Sequence, residues 1–125
     1  MNLLALLSGG IFGTLAVIIG AFGAHALKKT ANPDQLKSFE TGVKYQMYHA
    51  LLLLFMGSQF SFENDLEKYA VFCILIGTIL FSFSIYGLVL SSIKNNKIKI
   101  LGPITPLGGL LLTIGWILCC ISFIN

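Results

Sequence analysis

Apolar and polar positions separate into long blocks along this chain instead of alternating. No Asp, Glu, Lys or Arg occurs in residues 1–27, 45–62, 69–93 or 100–125. A bilayer crossing takes about 20 apolar residues, with a range of about 17–25. The pattern therefore predicts an all-α integral membrane protein: an antiparallel four-helix transmembrane bundle with spans at about 3–27, 45–62, 69–93 and 100–124. Little chain is left over, so residues 1–125 form a single membrane domain. The first window lacks a positive n-region, and its apolar run exceeds the roughly 7–15 residues of a signal peptide. Its lysines, Lys28 and Lys29, follow the run, so it reads as a retained first helix.

The first connection carries a pattern of its own. Asn32-Pro33-Asp34-Gln35 offers an N-cap Asn, a Pro at the first helical position, an acid in the first turn and Gln at N3. Leu36, Phe39, Val43 and Met47 then form an apolar stripe, with Glu40 and Lys44 paired at i,i+4 on the more polar side. This predicts a short amphipathic helix at about 33–44, lying at the membrane interface and running into the second span near Gly42. Tyr45 and Tyr48 would follow at headgroup level. Before the last span, Gly102-Pro103-Ile104-Thr105-Pro106 suits either a helix start or a short re-entrant turn.

Small residues predict how the helices meet. Gly9, Gly13, Ala16, Gly20 and Gly23 follow one another at steps of four and three, as do Cys73, Gly77, Leu80, Ser84, Gly87 and Ser91. The last span gives Thr105, Gly108, Leu112, Gly115, Cys119 and Ser122, and the second a weaker set of Gln46, Ala50, Leu53 and Gly57. Lipid tails remove any hydrophobic drive between helices, so close approach of such seams carries much of the association.

Composition agrees with the pattern: 56% of residues are hydrophobic, 10% are charged, and the mean hydropathy is +0.88. All basic residues are lysines. Lys28, Lys29, Lys37 and Lys44 lie in the first connection and Lys94, Lys97 and Lys99 in the third, whereas the second has Lys68 alone beside Glu63, Asp65 and Glu67. Lys-rich short loops stay in the cytoplasm, which predicts a multi-pass protein of the cell (plasma) membrane with both termini outside. The net charge of +3 suits the inner membrane surface, so the expected partners are membrane lipids and not nucleic acid. Seams left on the outside of a small bundle leave a homo-oligomer or a membrane-protein partner open.

Three stretches in order, "GAFGAHAL", "TGVKYQMYHALLLL" and "PITPLGG…GW", resemble a small uncharacterised membrane-protein family. That family includes vertebrate transmembrane protein 256 and is catalogued in bacteria as a domain of unknown function. The resemblance runs nearly end to end and implies a four-span membrane protein without an established activity. Its motifs fall on Gly20, Gly23, His25, Tyr45, His49, Pro106, Gly108, Gly109, Gly115 and Trp116. One departure is Phe83, where members of the family typically carry Gly, so the third helix is expected to pack less closely here than in the family.

Candidate chemistry is sparse. His25 ends the first span and His49 opens the second, which places both at the cytoplasmic end and at similar depth. Two imidazoles on neighbouring helices could hold a haem or a shared metal, or move a proton. With no carboxylate or Lys inside the spans, only they or Tyr86, Ser82 and Ser84 could serve a transporter, which disfavours proton-coupled cation transport. Against convergence, His25 is two positions past Gly23, about 200° around the helix. The alternative is that each ring hydrogen-bonds a carbonyl, Gln46, Tyr48 or a lipid headgroup. No catalytic arrangement, metal-ligand cluster or cofactor motif is present, and Cys73, Cys119 and Cys120 are expected as free thiols. Three function classes remain: a non-enzymatic membrane component (assembly, accessory or lipid-interacting), a small transporter or channel, and a histidine-dependent haem or redox protein. The first is the reading adopted from sequence.

Overall fold

The computed structural model describes residues 1–125 and is helical throughout. Helix α1 spans Asn2–His25 and ends in a 3-10 turn at Leu27–Lys29; α2 spans Pro33–Gln59. Helix α3, Asp65–Thr78, passes through a π turn at Ile79–Phe83 into α4, Ser84–Ile93, and α5 spans Leu101–Ser122. Three helical runs, Asn2–Lys29, Asp65–Ile93 and Leu101–Ser122, are long and apolar enough to cross a membrane by length and composition. Helix α2 is as long, but its first turns carry Asp34, Lys37, Glu40 and Lys44.

Helix α2 begins at the predicted place for the predicted reason. Asn32 Oδ1 accepts from the Gln35 N–H at 2.8 Å, and Gln35 Oε1 accepts from the Asn32 N–H at 2.9 Å. This reciprocal cap satisfies two otherwise orphaned donors. The helix then continues without a break through Gly42. The segment at 33–44 is thus the first half of one long helix and not a separate element, because its stripe finds a partner beside it: Phe39 packs on Gly23 and Val43 on Gly20. The Gly102–Pro106 stretch is helical from Leu101 onward and forms a helix start, not a re-entrant turn.

The chain folds as two antiparallel hairpins, α1 with α2 and α3–α4 with α5. Within each, small residues set the approach. Gly9 lies against Ala50 and Leu54, while Gly77 meets Leu112 and Gly115 meets Ile74. The closest point is Gly108, where a Cβ would overlap the backbone of Leu80 and Phe81. Gln46, Ala50, Leu53 and Gly57 are all buried, as are Gly108, Leu112, Gly115 and Cys119. Phe83 does not open the third helix; its ring stands edge-on to Phe12 at 6.3 Å and to Tyr86 at 5.6 Å.

Between the hairpins, where Leu53 and Met56 share a buried cluster with Val71 and Ile74, polar bonds join the apolar contact. Tyr86 OH donates to Gln46 Oε1 at 2.7 Å, and Gln46 Nε2 donates to the Phe12 carbonyl at 2.8 Å, tying α4, α2 and α1 in one line. Ser82 Oγ, turned toward α2 by the π turn, donates to the Gly42 carbonyl at 2.7 Å. Every buried side-chain nitrogen and oxygen has a partner. In lipid such bonds average about 0.6 kcal/mol each and reach about 1.7 kcal/mol. They fix which faces meet more than they supply bulk stability.

The end away from the lysine-rich loops holds both termini. Asn2 Nδ2 donates to the Gly57 carbonyl at 2.9 Å and to that of Phe60 at 3.2 Å, and Phe123 packs on Phe55 and Phe60. Lys68 pairs with Asp65 at 2.9 Å in the same region. The cysteines are free thiols, Cys119 buried and Cys120 exposed.

Candidate functional site: a cleft between the two hairpins

One face of α2 carries Asp34, Ser38, Thr41, Tyr45 and His49, at steps of three and four. One face of α5 carries Gly102, Thr105, Pro106, Gly109 and Trp116. These faces flank a cleft that begins at the lysine-rich end. There a groove of about 580 Å³ lies between α2, α4 and the start of α5, lined by Asp34, Ser38, Thr41, Val89, Lys97 and Pro106 among others. Gln35 Nε2 bridges to Ser92 Oγ at 3.2 Å beside it. Asp34 and Lys97 both line the groove without pairing; the only ion pair in the chain is Lys68 with Asp65.

Past the groove, aromatic side chains bridge α2, the π turn and α5. The rings of Tyr45 and Phe81 pack at 4.8 Å between centroids, tilted by 34°, and Phe81 covers Gly109. The π turn points Phe81 this way while Ser82 faces α2, and such turns recur at functional sites. One turn beyond Tyr45, His49 and Trp116 join α2 to α5. The indole Nε1–H donates to His49 Nε2 at 3.1 Å, and His49 Nδ1 stands 2.6 Å from the Tyr45 carbonyl. An indole nitrogen can only donate. Nε2 therefore accepts, Nδ1 carries the proton and donates to the carbonyl, and the ring is neutral. Both nitrogens are engaged, so His49 has none free for an iron or a zinc.

His25 lies elsewhere. It is exposed at the end of α1. Since Gly23 faces Phe39 and Gly20 faces Val43, His25 falls level with the first turns of α2. That is about 12 residues before His49, or roughly 18 Å at about 1.5 Å per residue. The similar depth expected from sequence fails because α2 starts soon after α1 ends and runs straight back along it. No three His, Cys, Asp or Glu side chains gather anywhere in the chain.

Of the motif residues, the structure brings Tyr45, His49, Pro106, Gly109 and Trp116 to this cleft, with Gly108 seating α5 on the π turn behind it. Gly20 and Gly23 belong to the α1–α2 seam, and Gly115 faces α3. Sequence reasoning missed Asp34, Lys97 and Phe81 as lining and Trp116 as the partner of His49. The three-and-four spacing of polar residues along α2 would have marked one wall.

Residues 19–109 match the family model described as "Protein of unknown function (DUF423)". The chain belongs to the DUF423 family. A UPF0382 membrane protein of Staphylococcus aureus is 40% identical over 119 residues, covering 95% of this chain and 93% of its own length. UPF0382 membrane protein YwdK of Bacillus subtilis is 38% identical over 120 residues, covering 94% and 93%. No solved structure matches. This DUF423 chain is therefore a helical membrane protein of a bacterial family without an assigned activity, and its surroundings include lipid.

Proposed function

We propose that this protein is a four-span, non-enzymatic component of the cell membrane that works by holding a lipid in the cleft between its hairpins. The carrying observation is the order of groups between the hairpins, from an open groove edged by Asp34, Ser38 and Lys97 to the Tyr45–Phe81 contact farther along. An amphiphile has the same polarity profile along its length. Helix α2 is taken as the fourth span because it runs back along α1 until Gly57 meets Ala5 and Leu6 near the N-terminus. With seven lysines at one end and Lys68 alone at the other, the lysine-rich end faces the cytoplasm and both termini face out.

Native mass spectrometry of protein released from bilayer nanodiscs tests the reading. One phospholipid is retained per chain, and Ser38→Trp, which fills the mouth, removes it. A wild type that sheds lipid as readily as Ser38→Trp overturns it. For the topology, a membrane-impermeant maleimide added to intact cells, in a background with the native cysteines replaced by serine, labels Ser61→Cys and spares Asn95→Cys; the reverse pattern overturns the orientation.

A further inference from the structure

We infer that the mouth of the cleft selects a phospholipid whose headgroup carries both a primary amine and a phosphate, an inference that rests on the lipid-holding reading above. The groove holds one charge of each sign on opposite walls. Asp34 supplies a carboxylate on α2, and Lys97 supplies an ammonium from the loop before α5. The two line one cavity of about 580 Å³ and do not pair with each other, so each has a charge to offer a ligand.

A third group sharpens the assignment. Pro106 has no N–H, so the Gly102 carbonyl lacks its usual partner four residues on, and both residues line the groove. Carbonyl and carboxylate together accept from an alkylammonium, which has three donors to give. A headgroup phosphate then falls to Lys97, with the Ser38 hydroxyl on the α2 wall across from it. A headgroup with phosphate alone would leave Asp34 facing a like charge. One bearing only a quaternary ammonium has no N–H for the carbonyl. The apolar side chains of Ile85, Leu88 and Val89 complete the lining and suit the glycerol and upper acyl carbons.

The depth agrees. His49 lies 15 residues after Asp34 on the same helix, about 22 Å along it at about 1.5 Å per residue. A headgroup at Asp34 therefore leaves its chain running past Tyr45 toward the His49–Trp116 bridge. The general attraction of the neighbouring lysines for anionic lipids works against this selectivity, so the inference can be separated from simple charge attraction.

The test is a competitive titration of the purified protein with phosphatidylethanolamine and phosphatidylglycerol of identical acyl chains, read as lipid adducts by native mass spectrometry. Phosphatidylethanolamine is preferred about fivefold, the scale of one exposed ion pair. Asp34→Asn, at an exposed position, brings the ratio to about one by removing that pair. Glu40→Gln, an acid on the same helix that lines a different surface hollow, leaves the ratio unchanged. Lys97→Gln weakens both lipids. Equal or stronger binding of phosphatidylglycerol by the wild type overturns the headgroup assignment and leaves the lipid-holding reading standing. Retention of neither lipid overturns both. Displacement of bound phosphatidylethanolamine by water-soluble phosphoethanolamine at equal concentration overturns the lipid as source.

Discussion

Trp116 and His49 are joined by a single hydrogen bond, indole N–H to imidazole Nε2 at 3.1 Å, across the gap between α5 and α2. With Nδ1 directed at the Tyr45 carbonyl, the bond fixes both the tautomer and the ring plane. In the nitrogen-15 spectrum of histidine-labelled protein, one imidazole shows a protonated Nδ1 and an unprotonated Nε2. Trp116→Phe keeps an aromatic ring but removes the donor, and this signature collapses toward a tautomer mixture. The variant loses about 0.6–1.7 kcal/mol of stability. An Nε2–H tautomer in the wild type would contradict the geometry.

Glycines on this chain differ sharply in what they do. A Cβ at Gly108 meets the backbone of Leu80 and Phe81, which no rotamer change relieves, whereas one at Gly10 meets nothing within 4 Å. Gly108→Ala therefore separates α5 from the π turn and costs about 1–3 kcal/mol as overpacking. Gly10→Ala is neutral or stabilises by up to about 1 kcal/mol, since Ala is the better helix former. Unfolding by sodium dodecyl sulfate, followed by circular dichroism, gives both values. Equal effects at the two sites would contradict the packing described.

The line from Tyr86 through Gln46 to the Phe12 carbonyl predicts coupling. Tyr86→Phe removes one donor and Gln46→Leu removes both bonds. A double-mutant cycle between them returns an interaction of about 0.5–1.7 kcal/mol. Additive losses would mean that the tyrosine hydroxyl does not use Gln46.

What the sequence revealed and what it hid divide along a physical line. Seams such as Gln46, Ala50, Leu53 and Gly57 were legible because helical periodicity alone places them on one face, and that face is buried. The cap at Asn32 was legible because it is local. The pairing of His49 with Trp116, 67 residues apart, depends on which hairpin faces meet, and no local spacing encodes that. The depth of His25 is hidden from the sequence for the same reason. It follows from where Phe39 and Val43 dock on α1, while residues 33–44 read alone resemble an interfacial helix. Family motif residues such as Tyr45, His49 and Trp116 fall between α2 and α5, yet the charged groove at Asp34 and Lys97 lies outside them.

Phe62 yields the last prediction. It adopts φ 60, a left-handed conformation that is costly for a bulky side chain, on the order of 1–3 kcal/mol. The ring is nevertheless buried, edge-on to Phe60 at 5.8 Å, and its N–H donates to Glu67 Oε2 at 2.6 Å. Ring burial and the carboxylate bond together hold the turn in place. Glu67→Ala removes the bond and costs about 1.5–3 kcal/mol, the range for a hydrogen bond to a charged group. Cleavage by protease added from the outer side then rises within residues 60–64. Glycine adopts the same φ without strain, so Phe62→Gly alone loses the ring but needs no tether. In that background Glu67→Ala costs less than in the wild type. Equal costs in the two backgrounds would show that Glu67 stabilises this end of the bundle without restraining Phe62.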